Sequence, residues 1–208
     1  MQSFDQLPRT LPVFPLTNAI VLPGSHLPLN IFEPRYLKMI HDAMRTDHLI
    51  GMVQPRDNNS VPRLYQVGCA GRIIRYDETW DGRIEIMLAG LCRFRIDEEL
   101  SSMRGYRLVT PEWTEFAMDY EEQEPVDEDD INQFFAALKS YMKKNNMDAD
   151  WQMLQRMSPE ELINSLVGIL PVGVEDKQLL IESDTLVDRL QGFTAILRGE
   201  LDSSSAKH

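Results

Sequence analysis

Residues 65–96 read YQVGCAGRIIRYDETWDGRIEIMLAGLCRFRI, and their pattern decides the fold class. Ile84, Ile86 and Leu88 alternate with Glu85, Met87 and Ala89, and Cys92, Phe94 and Ile96 alternate with Arg93 and Arg95. A period of two belongs to a strand with one face buried. Asp81-Gly82 falls between two such runs, where glycine's tolerance of positive φ favours a hairpin turn. A further strand is expected at Tyr106–Thr110. Several short strands in succession predict a curled sheet or partly open barrel.

Upstream, residues 11–32 (LPVFPLTNAIVLPGSHLPLNIF) place four prolines among short apolar runs. Proline lacks an amide donor, so these segments are expected as edge strands and turns. Glu33-Pro34 predicts a helix start, with Tyr36, Met39, Ile40, Ala43 and Met44 on one face of residues 34–46. A strand at Leu49–Val53 and the polar loop PRDNNSVPR (55–63) follow.

Downstream, residues 119–130 (DYEEQEPVDEDD) carry eight carboxylates of a chain whose net charge is −12, and the remainder carries only −4. Beyond this run the apolar period changes to three and four. Ile131, Phe134, Phe135, Leu138, Tyr141 and Met142 share a helical face ahead of Lys143-Lys144, a polarity that complements the helix dipole. Ser158-Pro159-Glu160-Glu161 reads as a capping box opening a helix that runs to Leu170. Segments near 174–182 and 184–200 are expected to bury Leu179, Leu180, Leu186, Leu190, Phe193 and Leu197.

The expected organisation is therefore α+β. A β-rich N-terminal lobe with one short helix spans 1–118, an acidic linker 119–130, an all-helical C-terminal lobe 131–200 and a disordered tail 201–208.

The acidic balance argues against nucleic-acid binding, which needs a basic footprint on phosphates. No apolar run approaches the roughly 18 residues of a membrane helix, and the start MQSFDQLPRT lacks the features of a signal peptide. A cytoplasmic protein without membrane partners is expected. Cys69 and Cys92 are expected as reduced core residues. Eleven methionines could serve an adaptable binding surface, but Met39, Met44, Met87, Met142, Met153 and Met157 fall at core positions.

Three blocks, residues 11–40, 67–96 and 166–190, together resemble the N-terminal domain of ATP-dependent Lon proteases, also found in cereblon and some RING-finger proteins. The most specific is PGxxLPLxIFExRY, here Pro23 to Tyr36, and the likeness extends from Leu11 to about Glu200. The resemblance implies a role in selecting or holding protein substrates. It also implies a free-standing domain without the ATPase and protease parts, which lie downstream in full Lon proteases. The phosphate loop G-x-x-x-x-G-K-[ST] is missing from this sequence, as are G-x-S-x-G and G-x-G-x-x-G.

No enzyme chemistry, cofactor or metal is expected. His26, His41, His48 and His208 show no zinc-ligand spacing, and Glu85, Asp97, Glu98 and Glu99 read as solvated carboxylates. Glu33 is expected to cap the first helix and Arg35 to bridge to a carboxylate or to strand carbonyls, while Arg35 and Tyr36 could line a groove receiving a peptide. Arg72, Arg75, Arg83, Arg93 and Arg95 are expected on one solvent face near Tyr76 and Trp80, suiting acidic or aromatic segments unless acids on the same face balance them. The candidate binding residues are thus Glu33, Arg35, Tyr36, Arg72, Trp80, Arg93 and Arg95. Trp113, Phe116 and Trp151 are expected to link the two lobes.

The function expected is a protein- or peptide-binding module, an adaptor or holdase-like factor for unfolded or partly folded proteins. It would use a groove between the lobes, with pairing to a free strand edge as one mode. The alternatives are a hydrolase or small-molecule sensor in that groove, and a structural subunit that self-associates weakly through its helical lobe.

Overall fold

A computed structural model describes residues 3–101 and 103–205. The chain divides into two units, Met1–Glu122 and Gln123–His208.

The first unit is a barrel. Strands β1 (Leu11–Pro15), β2 (His26–Ile31), β3 (Leu49–Val53), β4 (Val67–Glu78), β5 (Ile84–Leu100) and β6 (Arg107–Glu112) form one mixed sheet of order β2-β5-β4-β3-β1-β6. β6 also pairs back onto β5, so β5, β4, β3, β1 and β6 close a ring with β2 outside it. The closure depends on the length of β5. Ile84–Ala89 pair with β2, and Arg95–Leu100 pair with β6. Register shifts at Ala70/Gly71, Ile73/Arg75 and Ile96/Glu98 add the local bend and twist that a closed sheet requires.

The alternation in β5 appears as buried Ile84, Ile86, Leu88, Cys92, Phe94 and Ile96. Phe94 fills the barrel with Leu11, Val13, Leu49, Val53, Ala70 and Val109. A Cβ at Gly51 of β3 would lie 2.7 Å from Phe94 Cζ, so the barrel interior demands glycine there. Cys69 and Cys92 are buried free thiols, and burial pushes the Cys92 thiol up.

The proline-rich opening departs from expectation in one respect. β2 is an edge strand, but β1 sits inside the ring between parallel β3 and antiparallel β6. Pro12 and Pro15 are tolerated because β1 pairs over only three positions on each side. Leu16 N resumes the ladder at 3.1 Å from Val53 O. The strand expected at Tyr106–Thr110 is β6, two residues longer at its end. Helix α1 (Pro34–Ala43) buries Tyr36, Met39, Ile40 and Ala43.

The second unit is helical: α2 (Glu128–Lys144), α3 (Trp151–Leu154), α4 (Pro159–Ile169), α5 (Val174–Ile181) and α6 (Leu186–Ser205). Helix α2 begins earlier than the apolar pattern suggests, because Asp127 accepts from Asp129 N at 2.8 Å and three acids follow in the first turn. The Ser158–Glu161 capping box opens α4. Phe134 and Phe193 meet at 5.5 Å in the core. Buried Arg189 donates to Asn164 Oδ1 at 2.8 Å and Leu180 O at 3.0 Å.

Several expectations fail here. Leu179 is 56% exposed, because α5 turns Lys177, Gln178, Leu180 and Ile181 inward. Met153, on the one-turn helix α3, is exposed as well. Helix α6 continues through Ser205, into the stretch expected to be disordered; residues 206–208 of that tail lie outside the described residues. No helix among the described residues is long and apolar enough to cross a membrane.

Candidate binding cleft

One end of the barrel unit carries a cleft of about 540 Å³. Its walls are the start of α1, the loop 55–62 and the paired ends of β5 and β6. Pro15, Tyr36, Pro55, Val61, Pro62 and Leu100 supply its apolar surface, while Arg35, Arg107, Glu99, Asp57 and the Asn58-Asn59-Ser60 side chains supply polar groups.

The α1 wall follows from its helix start. Glu33 occupies the N-cap, but it caps with its backbone: its carbonyl accepts from Tyr36 N and Leu37 N, each at 2.9 Å. The side-chain cap expected of Glu33 is not made. That carboxylate instead holds Arg35, at 3.0 Å from Nε and 2.9 Å from Nη2. Arg35 lies 4.6 Å over the Tyr36 ring, which packs at 4.2 Å against Phe14. Burial raises the Tyr36 phenol above its ordinary value, only partly opposed by Arg35, so it stays neutral and able to donate at physiological pH.

The loop wall is held at both ends. Pro55 bridges to Leu64, and Arg56 N donates to Arg63 O at 2.7 Å. The Arg63 guanidinium, 2.9 Å from Asp57, holds that carboxyl below the usual range. Arg107 ties the loop to the strands, donating to Pro62 O at 2.6 Å and to Glu99 at 2.5–3.0 Å. Replacing Arg107 with alanine is expected to free the 55–63 wall. Amide exchange at Arg56 should quicken, with a stability loss of about 1 kcal/mol; unchanged exchange would remove Arg107 from this role.

Behind the cleft, Tyr106 Oη donates to Asp42 of α1 at 2.8 Å and Arg104 joins at 2.7 Å. Partial burial works to raise the Asp42 carboxyl, but these two donors outweigh it and hold the group low.

The structure brings Arg35 and Tyr36 together at this cleft, with Glu33 outside its lining and paired to Arg35. It scatters the arginines expected on one face. Arg93 is only 2% exposed: its guanidinium and backbone N both bind Asp119, at 2.8–3.1 Å, and its Cζ lies 4.7 Å from the Phe116 ring. It is a barrel-wall residue and not a surface contact. Arg95 is exposed and paired with Glu115 at 2.6 Å. Arg72 is half-buried and donates to Asp47 O at 3.2 Å. Trp80 stands at the β4–β5 turn. Trp113 and Phe116, expected as linkers, serve the barrel unit itself: Trp113 packs on Phe94 at 5.6 Å, and Phe116 lies under Arg93.

Sequence reasoning missed Glu99, Tyr106, Arg107 and the loop prolines. The two prolines bracketing the Asn-rich loop were the legible hint of a shaped wall. The β5–β6 register that brings Glu99 beside Arg107 had no local signature. No cluster of three or more His, Cys, Asp or Glu suited to a metal occurs among the described residues.

A closed barrel carries an open cleft lined by both signs of charge, and a helical unit follows it in the sequence. The chain belongs to the family of the ATP-dependent protease La (LON) substrate-binding domain, whose model matches residues 10–199. It is 27% identical to the Lon protease of Flavobacterium johnsoniae over 98% of this chain and 26% of that protein. It is 26% identical to the Escherichia coli K12 Lon protease over 92% of this chain and 25% of that protein. The chain thus spans about a quarter of the length of these relatives. The Lon N-terminal domain protein from Xanthomonas campestris shares the fold, with a TM-score of 0.66 and 24% identity over 89% of this chain and 97% of its own. The N-terminal domain of the Mycobacterium avium complex Lon protease does likewise, with a TM-score of 0.65 and 18% identity over 91% of this chain and 98% of its own.

Proposed function

We propose that this domain recognises extended segments of unfolded or partly folded proteins, holding them without chemistry in the cleft beside α1. The observation that carries the reading is the convergence of Arg35 and Tyr36 with an apolar, proline-lined wall in the largest cleft described for the barrel unit. Family membership supports substrate recognition as the general role. The cleft suits main chain plus apolar side chains. Its two guanidiniums, Arg35 and Arg107, face bound carboxylates, so the mouth has no charge to spare for a strongly ionic ligand. Neutral Tyr36, Asn58, Asn59 and Ser60 can exchange hydrogen bonds with a peptide backbone. In a cell such a module would serve as an adaptor or holdase-like factor.

Fluorescence anisotropy with labelled β-casein, an unfolded probe, tests this. The wild-type domain should bind it, and Arg35→Glu combined with Val61→Asp should weaken binding about tenfold or more, since both side chains are exposed and line the cleft. Circular dichroism of the variant should be unchanged. Absence of binding by the wild type, or cleavage of the casein by the purified domain, would overturn the reading.

A further inference from the structure

Beyond its contacts with β3 and β6, the β4–β5 hairpin leaves the barrel ring. Among the described residues, 74–87 form their strand pairings with one another and with β2, while Ile73 N still donates to His48 O at 2.9 Å. The arm ends in a tightly bonded turn. Thr79 N donates to Arg83 O at 2.9 Å, Gly82 N to Thr79 O at 3.0 Å, and Arg83 N to Thr79 Oγ1 at 3.1 Å. Gly82 adopts φ +81°, and Arg83 pairs with Asp81 at 3.0 Å. On this fixed turn Trp80 is 98% exposed. Its backbone is ordered before any ligand arrives, so capture of the indole requires little further ordering of the chain. Phe32, 64% exposed, directly follows Ile31, which pairs with Ile84, itself opposite Glu78. The register therefore sets two exposed aromatics at the same end of the arm.

The charge around them has a definite sign. Arg75 pairs with Asp77 and Arg83 with Asp81, while Glu78 accepts from Tyr76 and Glu85 follows on β5. From Arg75 to Glu85 four carboxylates face two guanidiniums, a net of −2. Of the two readings the sequence left open here, the arm follows the one in which acids balance the arginines, since Arg75 and Arg83 are paired and Arg93 and Arg95 lie elsewhere.

We propose that this tip is a second docking surface, in which Trp80 inserts into an apolar socket of a partner protein whose rim is basic. Tryptophan is the residue type that most often dominates an interface when buried on binding, an indole face attracts cations, and the acidic surround favours encounter with a positive rim. This surface is separate from the cleft and does not depend on the reading given for it.

Two labelled peptides, one alternating leucine with lysine and one alternating leucine with glutamate, serve as probes for the full chain in anisotropy titrations. The lysine peptide should bind, more weakly as salt rises. Trp80→Ala should weaken it about tenfold or more and Glu85→Lys about threefold, whereas Arg156→Glu, at an exposed position of the helical unit, should leave it unchanged. Trp80 is solvated, so its variant keeps the fold. Equal or better binding of the glutamate peptide, equal binding by Trp80→Ala, or no binding of either peptide overturns the proposal. So does Trp80-dependent sedimentation with phosphatidylcholine vesicles in the absence of lysine-peptide binding.

Discussion

Asp119→Ala is expected to destabilise the barrel unit by about 3–5 kcal/mol, because it strands a cation inside the protein. Arg93 and Asp119 are 2% and 5% exposed at their side chains, and the carboxylate receives Arg93 Nε, Nη2 and backbone N together. Removing it takes the carboxylate away from a buried guanidinium and from the Arg93 amide. For a domain whose total stability is typically about 5–15 kcal/mol, such a loss lowers the melting temperature by roughly 10 °C. Replacing both partners by apolar residues, Arg93→Met with Asp119→Leu, should recover most of it, since no charge is then left without its counterion. The neighbouring pair Arg95–Glu115 is the control. Both side chains are more than 40% exposed, so Glu115→Ala should change stability by less than about 1 kcal/mol. Urea unfolding of the four proteins separates these outcomes, and a loss below about 1 kcal/mol for Asp119→Ala would mean that Arg93 reaches water.

That ion pair marks the limit of what local pattern reveals. The alternation of Cys92, Phe94 and Ile96 gave the inner face of β5 correctly, and it assigned Arg93 to the outer face. What it could not register is that the kinked 3-10 segment Thr114–Tyr120 lies over that outer face with Phe116 and Asp119. Cys92, Arg93 and Phe94 are buried in succession as a result. Asp119 likewise opened a run of acids that composition reads as solvated, although it belongs to the barrel wall. The same holds for ring closure. Strand β3 and the inner face of β5 as far as Ile96 were legible from apolar spacing, whereas β1, β2 and β4 were expected only as short strands without limits and the run of β5 to Leu100 was not foreseen. The pairing of β1 with β3 spans 38 positions of chain and that with β6 more than ninety, which no short window contains. The cleft was half legible. Arg35 and Tyr36 stand out beside a proline helix start, while Glu99 and Arg107 acquire their place only when β5 and β6 pair.

Gly90→Ala is expected to cost about 3–4 kcal/mol, an effect set by backbone and not by side-chain packing. A Cβ at Gly90 would stand 1.9 Å from the carbonyl oxygen of Leu22 and 2.6 Å from its carbon, and neither atom is the end of a flexible group. The segment 20–25 would have to lift away from β5. It is attached there by Gly24 N to Gly90 O at 3.2 Å and Gly90 N to Ser25 O at 2.9 Å. The Ser25 hydroxyl braces the turn from within, accepting from Leu22 N and donating to Leu22 O at 2.9 and 2.8 Å. Lifting it also exposes Ile20, Val21 and Leu22, each at most 2% accessible. Overpacking alone costs about 1–3 kcal/mol, and each hydrogen bond lost adds about 1. Ser25→Ala isolates the brace and should lose about 1–2 kcal/mol. Gly82→Ala, in open space at positive φ, should lose about 1 kcal/mol from conformation alone. If denaturant midpoints placed Gly90→Ala level with Gly82→Ala, the loop would be resting on β5 loosely enough to move aside. The order Gly90, Ser25, Gly82 requires instead that the proline-rich opening is fastened to the barrel through one glycine that no other residue can replace.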